Sequence, residues 1–253
     1  MTGILPIALE DATKILQAFL LSGKEYVCLM RLHEDVSEDK LRQALKEFTG
    51  EIYQKPPLKA SVKRAIRKRI IYSIELLEKE GKNVLMKVAC QSGTYIRKLV
   101  YDIGEALGCG AHMKELRRIR AGPFTEDEGL YDLYDLAYAI KEYKENKNEE
   151  LLRKVIRPME EALEFINKVY IRDSAVDAIC HGADLAIPGI VKLSMNIKPK
   201  DLVAILTLKG EVVAFAKALM PTEQILEQEH GIAAKTVRVI MPVGTYPALW
   251  KKK

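Results

Sequence analysis

The clearest periodicity in the chain lies in its middle. Ile96, Leu99, Val100, Ile103 and Leu107 recur at three- and four-residue spacing, which predicts a helix with one buried stripe. Ser92, Gly93 and Thr94 break the β-like alternation before it and offer an N-cap hydroxyl, and Gly108 and Gly110 stop it. Arg97 falls beside the stripe, so its stem can lie on the core while its guanidinium reaches a cleft. A second amphipathic segment, Ala111 to Arg120, carries Met113 and Leu116 among Lys114, Arg117, Arg118 and Arg120. On spacing alone the two segments read as a helix hairpin with solvated arginines.

Upstream, Glu10 and Asp11 precede a helix with Ile15, Leu16, Phe19 and Leu20 on its apolar face, and Gly23 stands where a C-cap glycine belongs. Lys24 to Leu32 alternates, which predicts a strand with Tyr26, Cys28, Met30 and Leu32 on one face. By burial habit Tyr26 reads as a core aromatic. Ser37 caps a helix whose stripe is Leu41, Leu45 and Phe48. Ile70 to Leu77 and Asn83 to Gln91 alternate on either side of a turn-like EKEGK, so a β-hairpin leads into the Arg97 helix. The acidic stretch from Glu126 to Glu150 predicts a peripheral helix, with Leu130, Leu133, Leu136 and Ile140 near helical spacing. From Val169 the texture changes to short β runs around turns, the pattern of a small barrel. The expected architecture is an α+β domain over residues 1–168, with a mixed and mainly antiparallel sheet and helices, followed by a small β-barrel over residues 169–253.

Composition narrows the partners. A chain of 253 residues has room for two domains, and a net charge of +5 suits an anionic partner. No window of about 18 apolar residues exists and the N-terminus has no signal-peptide pattern, so the expected location is the cell interior, cytoplasmic, with no membrane partner. Cys28, Cys90, Cys109 and Cys180 are scattered without a C-x-x-C pair, which predicts reduced thiols and no structural zinc. Between residues 55 and 69 the chain places Lys55, Lys59, Lys63, Arg64, Arg67, Lys68 and Arg69 without one acidic residue. Such density favours phosphate contact over an ordinary solvated face. His181 and Asp184 suggest a metal or acid-base pair, but no third ligand lies at suitable spacing and the adjacent glycine explains the motif as a turn.

The ordered strings SGTYIR, DIG, LGCGAH and LRRIRAGPF, all within residues 92–124, resemble the signature of the TruB family of pseudouridine synthases, in its dyskerin-like box H/ACA branch. The family's G-x-L…A-T-K and K-x-Y positions are matched by Gly3, Leu5, Ala12, Thr13, Lys14, Lys24 and Tyr26. Its P-P…S-A-x-K motif is matched by Pro56, Pro57 and Lys63, although Ala60 here precedes Ser61. From residue 173 onward, DSAV…HGA…PGI resembles the PUA domain, an RNA-binding module, and the closing TYPALW matches in part.

The resemblance implies isomerisation of uridine to pseudouridine in ribosomal and transfer RNA, with no metal or redox cofactor. The target base is hidden while stacked, so it has to be flipped into a pocket. It further implies a catalytic aspartate, Arg97 as that carboxylate's partner, Tyr26 stacked on the base and assisting proton removal, and Leu116 walling the pocket. RNA contacts are expected at Lys14, Lys59, Lys63, Arg64, Arg67, Lys68, Arg69, Arg117 and Arg118, and at Gly182 and Gly189 in the C-terminal module. The implied partners are a guide RNA, a substrate RNA and small H/ACA ribonucleoprotein proteins. The G-T-L-D-P run that carries the family's aspartate is absent, and its positions would lie just upstream of Met1; neither Asp11 nor Asp35 matches it. The expectation is a truncated or partial sequence, inactive as it stands. A non-catalytic RNA-binding scaffold is a second reading. A stand-alone transfer-RNA enzyme is disfavoured, because the chain continues past Tyr26 into RLHEDVSED instead of L-G-x-x-T-x-T-x-D.

Overall fold

The structure is a computed structural model that describes residues 1–56 and 65–249, so the expectations for Pro57, Lys59, Lys63 and Arg64 lie outside the described residues. The chain divides into two compact units, Met1–Ile7 with Leu20–Lys141, and Ala8–Phe19 with Glu142–Lys253.

The first unit is built on a seven-stranded sheet, counted among the described residues. Its members are β1 (Thr2–Gly3), β2 (Lys24–Leu32), β3 (Gly50–Gln54), β4 (Arg67–Glu80), β5 (Asn83–Cys90), β6 (Ala111–Ala121) and β7 (Phe124–Thr125). The order is β1-β6-β2-β5-β4-β3, with β7 paired to β6. Only the β1–β6 pairing is parallel among these. Alternation on β2 and β5 turns Cys28, Met30, Val84, Met86 and Val88 to one face. Leu41 and Leu45 of α2 (Glu38–Glu47) and Leu99, Val100 and Ile103 of α3 (Ile96–Leu107) complete that core. Ser37 caps α2 as expected, its side chain accepting from the Lys40 amide.

Three local expectations between residues 92 and 146 are corrected. The segment from Ala111 is a strand and not the second arm of a helix hairpin. Its apolar positions looked helical because β6 carries an extra residue: Met113 lies opposite Met30 and Leu116 opposite Cys28, three residues spanning two of the partner. The N-cap of α3 is Tyr95, with no side-chain capping bond. The Thr94 hydroxyl instead donates to the Gln91 carbonyl at 2.7 Å and closes the turn before the helix. Gly108 does end α3, in the left-handed conformation at φ 75°. Finally, α4 (Leu133–Asn146) buries Ala139, while Leu130 and Leu133 are exposed. The Asp132 side chain accepts from the Tyr134 and Asp135 amides, so the helix starts after Leu130.

In the second unit, residues 10–15 form a 3-10 turn followed by α1 (Leu16–Phe19). The tighter winding voids the expected wheel: Ile15 and Phe19 are buried, but Leu16 and Leu20 are exposed. Phe19 meets Phe165 edge-on at 6.5 Å. Beyond α5 (Glu150–Val155), a six-stranded sheet runs in the order β10-β8-β11-β12-β13-β9 among the described residues. Its strands are β8 (Asn167–Ile171), β9 (Leu185–Ala186), β10 (Ile190–Leu193), β11 (Leu202–Thr207), β12 (Val212–Ala218) and β13 (Ile232–Val239). The β texture expected from Val169 is interrupted by a helix, α6 (Asp173–Cys180), because Val176, Ile179 and Cys180 bury at helical spacing.

Helix α3 and strand β6 approach each other closely at a glycine. A Cβ at Gly104 would stand 2.2 Å from the Ala111 amide nitrogen, and the Gly110 amide donates to the Gly104 carbonyl at 2.9 Å. The glycine of the DIG string is therefore a spacer. Gly104→Ala is expected to destabilise by about 1–3 kcal/mol through overpacking, read as a lowered urea midpoint at unchanged slope. A midpoint equal to that of the unaltered protein would refute the close-packing account.

Candidate active site

The start of β2, the end of β5 and the far part of β6 converge in the first unit. Tyr26 lies opposite Val88 on one side and Arg118 on the other. The Arg118 guanidinium lies close enough to the Tyr26 hydroxyl to favour the phenolate. Burial pushes the Tyr26 phenol above its usual range, the neighbouring Cys90 adds to this, and Arg118 opposes both. Near neutral pH, Tyr26 is thus a neutral, half-buried ring with a cation at its oxygen.

Arg118 is itself anchored. Its Nε donates to the Ile4 carbonyl at 2.7 Å, and the Ile4 amide donates back to the Arg118 carbonyl at 2.9 Å. Gly3 lies under this pair at φ 98°, and a Cβ there would meet the Arg118 carbonyl oxygen at 2.2 Å. Lys24, 8% exposed, donates to the Ser22 carbonyl at 2.9 Å and to the Ser92 hydroxyl at 3.1 Å. Burial lowers its pKa, Arg118 lowers it further, and Cys90 acts in the opposite sense. Desolvation raises the Cys90 thiol to about 11. Arg120 pairs with Glu25 at 2.8 Å.

Leu116, half-buried opposite Cys28, packs on the core. Arg97 occupies the first turn of α3, exposed, and makes no hydrogen bond or ion pair among the described residues. The backbone that presents it is gripped by three strands. Lys24 of β2 holds Ser92, Arg69 of β4 donates to the Gly93 carbonyl at 3.1 Å, and Gln54 of β3 bonds twice to Tyr95. Sequence reasoning missed Gln54 and treated Lys24 only as a motif member. A glutamine next to a Pro-Pro turn gives no periodic signal, and a lysine heading a strand reads as solvated.

The expected RNA-contacting cations are dispersed, and several carry internal partners. Lys14 donates to the Ile240 carbonyl at 3.1 Å and pairs with Asp11 at 2.9 Å. Lys68 pairs with Glu51 across the β3–β4 ladder, and Arg117 pairs with Glu126 at 2.8 Å. Arg67 lies opposite Gln54. Gly182 takes φ 88° in the turn after α6, and the Gly189 carbonyl accepts from the Arg172 amide at 2.9 Å. His181 Nδ1 bonds the Asp177 carbonyl at 2.8 Å, whereas Asp184 accepts from the Thr236 amide at 2.9 Å. Each therefore has its own partner. Among the described residues no group of three or more His, Cys, Asp or Glu could hold a metal ion.

Comparison with known proteins covers both units. The model of the TruB family pseudouridylate synthase N-terminal domain matches residues 1–96, the tRNA pseudouridylate synthase B C-terminal domain matches 97–164, and the PUA domain matches 167–240. The chain is 56% identical over 253 residues to the probable tRNA pseudouridine synthase B of Pyrococcus furiosus, all of this chain and 74% of that protein. The protein of the same name from Methanocaldococcus jannaschii is also 56% identical, over all of this chain and 75% of its own length. Among solved structures, a Cbf5-Nop10-Gar1 complex gives a TM-score of 0.91 at 56% identity, over 97% of this chain and 74% of that one. An H/ACA ribonucleoprotein bound to a substrate RNA containing 2'-deoxyuridine gives 0.90 at 54% identity, over 98% and 75%.

The buried ionisable groups set the alkaline limit of the fold. Cys28 is pushed to about 12 and Cys90 to about 11, against 9.0 for a free thiol. Above pH 9 the unfolded thiols release protons that the folded ones retain, so each favours unfolding as pH rises. Lys24 acts oppositely up to pH 10.5, its folded ammonium shedding its proton earlier than the unfolded one. Tyr26 and Cys180, both raised by burial, act in the same sense as Cys28 and Cys90, so four groups oppose one amine. Stability is expected to fall between pH 9 and 11, by up to about 1.4 kcal/mol per unit for each thiol, and Cys90→Ala should remove one share. Urea midpoints at pH 8, 9.5 and 11 check this, and an identical decline in the variant would contradict it.

Proposed function

The chain belongs to the TruB family of pseudouridine synthases, and we propose that, joined to the segment bearing the family's aspartate, it acts on RNA-guided substrates within an H/ACA-type ribonucleoprotein, isomerising uridine to pseudouridine in ribosomal and transfer RNA. The observation that carries this reading is Arg97. A rigid backbone presents its guanidinium, yet it has no partner among the described residues. An arginine held this way suits pairing with a carboxylate that arrives from elsewhere. In the family that carboxylate is the aspartate of G-T-L-D-P, a run this sequence does not contain.

The reaction detaches the base from its ribose, rotates it and rejoins it through carbon. Arg97 orients the carboxylate once a segment that carries it is supplied, and Leu116 offers an apolar wall to the flipped base. Tyr26 stacks on that base and, once glycosidic cleavage has occurred, assists removal of the proton at the new carbon–carbon bond. Its raised pKa keeps the phenol neutral while the base is bound, and Arg118 favours the phenolate if a proton leaves. The neighbouring complexes with Nop10 and Gar1 and with a substrate RNA support small protein partners and guided targets for this chain.

The test is reconstitution with a guide RNA, the small partner proteins and a substrate RNA carrying 5-tritiated uridine, with tritium release scoring the isomerisation. The 253-residue chain is expected to bind guide RNA and release none. The same chain preceded by the G-T-L-D-P-bearing segment of a relative is expected to turn over. In that form Tyr26→Phe should keep RNA affinity and slow release by about 10²- to 10⁴-fold. Silence from both forms would favour the non-catalytic scaffold. Turnover by the 253-residue chain would mean that another acid serves.

The basic run yields a separate expectation. Replacing Lys63, Arg64, Arg67 and Lys68 together by neutral residues should flatten the slope of log affinity against log salt by about 0.7 to 0.9 for each phosphate that is no longer neutralised. The melting temperature should hardly move. An unchanged slope in a folded variant would place the RNA path elsewhere.

A further inference from the structure

Gln54 ends β3, is 2% exposed, and spends its whole side-chain amide on one residue of another element. The Tyr95 amide donates to its Oε1 at 3.0 Å, and its Nε2 donates to the Tyr95 carbonyl at 3.2 Å. Tyr95 is the N-cap of α3, where no side chain of the cap itself bonds the helix. Its carbonyl also accepts the first helical bond, from the Leu99 amide at 3.0 Å. A primary amide presents a donor and an acceptor side by side, as a peptide edge does, so Gln54 acts as one added ladder rung across from the helix start. Lys24 and Arg69 hold Ser92 and Gly93, upstream of the cap. Gln54 grips the residue from which the helix phase is counted.

We propose that Gln54 is a positioning residue for the isomerisation: by locking Tyr95 it fixes the origin and rotation of the first turn of α3, and so the place of the Arg97 guanidinium two residues on. This deepens the reading of Arg97 as the partner of an incoming carboxylate and rests on it. Charge alignment of this kind tolerates little error, since a displacement of about 1 Å can cost about a hundredfold in rate.

The experiment compares the unaltered protein with Gln54→Ala, Gln54→Glu, Arg97→Ala and the Gln54→Ala/Arg97→Ala pair. Backbone amide exchange is read in the 253-residue chain, and single-turnover tritium release in the aspartate-bearing form. Gln54→Ala should speed exchange at residues 95–100 by about tenfold while α2 keeps its protection. It should slow turnover by about ten- to a hundredfold, with substrate-RNA affinity within about twofold. It should add nothing in the Arg97→Ala background. The buried carboxyl of Gln54→Glu regains the donor–acceptor pair when protonated, so as pH is lowered from 8 to 6 that variant should recover turnover and regain protection at residues 95–100, taken relative to the intrinsic exchange rate at each pH, whereas the protection in Gln54→Ala should stay low.

Unchanged exchange in Gln54→Ala would overturn the proposal. So would full turnover despite faster exchange, or an undiminished loss in the Arg97→Ala background. Should the unaltered aspartate-bearing assembly release no tritium, the functional reading falls. The positional lock is then decided by exchange alone, through the Gln54→Ala acceleration and the pH-dependent restoration in Gln54→Glu.

Discussion

Two register shifts between β2 and β6 govern which side chains reach the site. With regular pairing, alternate residues of β6 would face the core, and Leu116 and Met113 could not both do so. One extra residue between them lets Met113 oppose Met30 and Leu116 oppose Cys28. The second shift turns Arg118 toward Tyr26 and leaves Arg120 opposite Glu25, where it forms an ion pair. Bulges of this kind re-aim side chains at the end of a ladder. Here they set a guanidinium beside the phenol and divide three closely spaced arginines, Arg117, Arg118 and Arg120, among different partners.

The cluster at the head of β2 is stabilised by geometry more than by charge. A lysine buried at that position loses water, which depresses its pKa, and its hydrogen bonds to Ser22 and Ser92 offset part of that loss. The bond to Ser92 ties β2 to the turn that launches α3. Arg69 and Gln54 tie β4 and β3 to the next residues of the same turn. Strands β2, β3 and β4 therefore converge on a four-residue segment, and the exposed Arg97 inherits its position from them. An unpaired arginine on a loosely held turn would lose backbone as well as side-chain entropy on meeting a carboxylate; on this frame the backbone share of that ordering is complete beforehand.

Phosphate binding has a different character. Lys14, Lys68, Arg117 and Arg118 all have internal acceptors. The pairs of Lys68 with Glu51 and of Arg117 with Glu126 are solvent-facing, and exposed pairs contribute little, so opening either costs little. Arg118 is bound to the Ile4 carbonyl and lies beside Tyr26, so releasing it would disturb the site itself. A role at the phenol suits Arg118 better than a phosphate contact.

Local sequence determined a good deal of this protein. Period-two runs at Lys24–Leu32 and around the β4–β5 turn, the stripe of α3, the Ser37 cap and the Gly108 stop were all legible, because each depends on residues within a turn or two of one another. The motif strings pointed to the TruB family, whose domain models match residues 1–96 and 97–164. Whether Ala111–Ala121 would be a helix or a strand was not legible, because the open edge of β2 supplies its partner and a bulge disguises its period. Nor was the buried pairing of Gln54 with Tyr95, which joins positions 41 residues apart. A hydrogen bond over such a separation exists only after the sheet has brought the end of β3 to the start of α3, so tertiary structure alone could decide it.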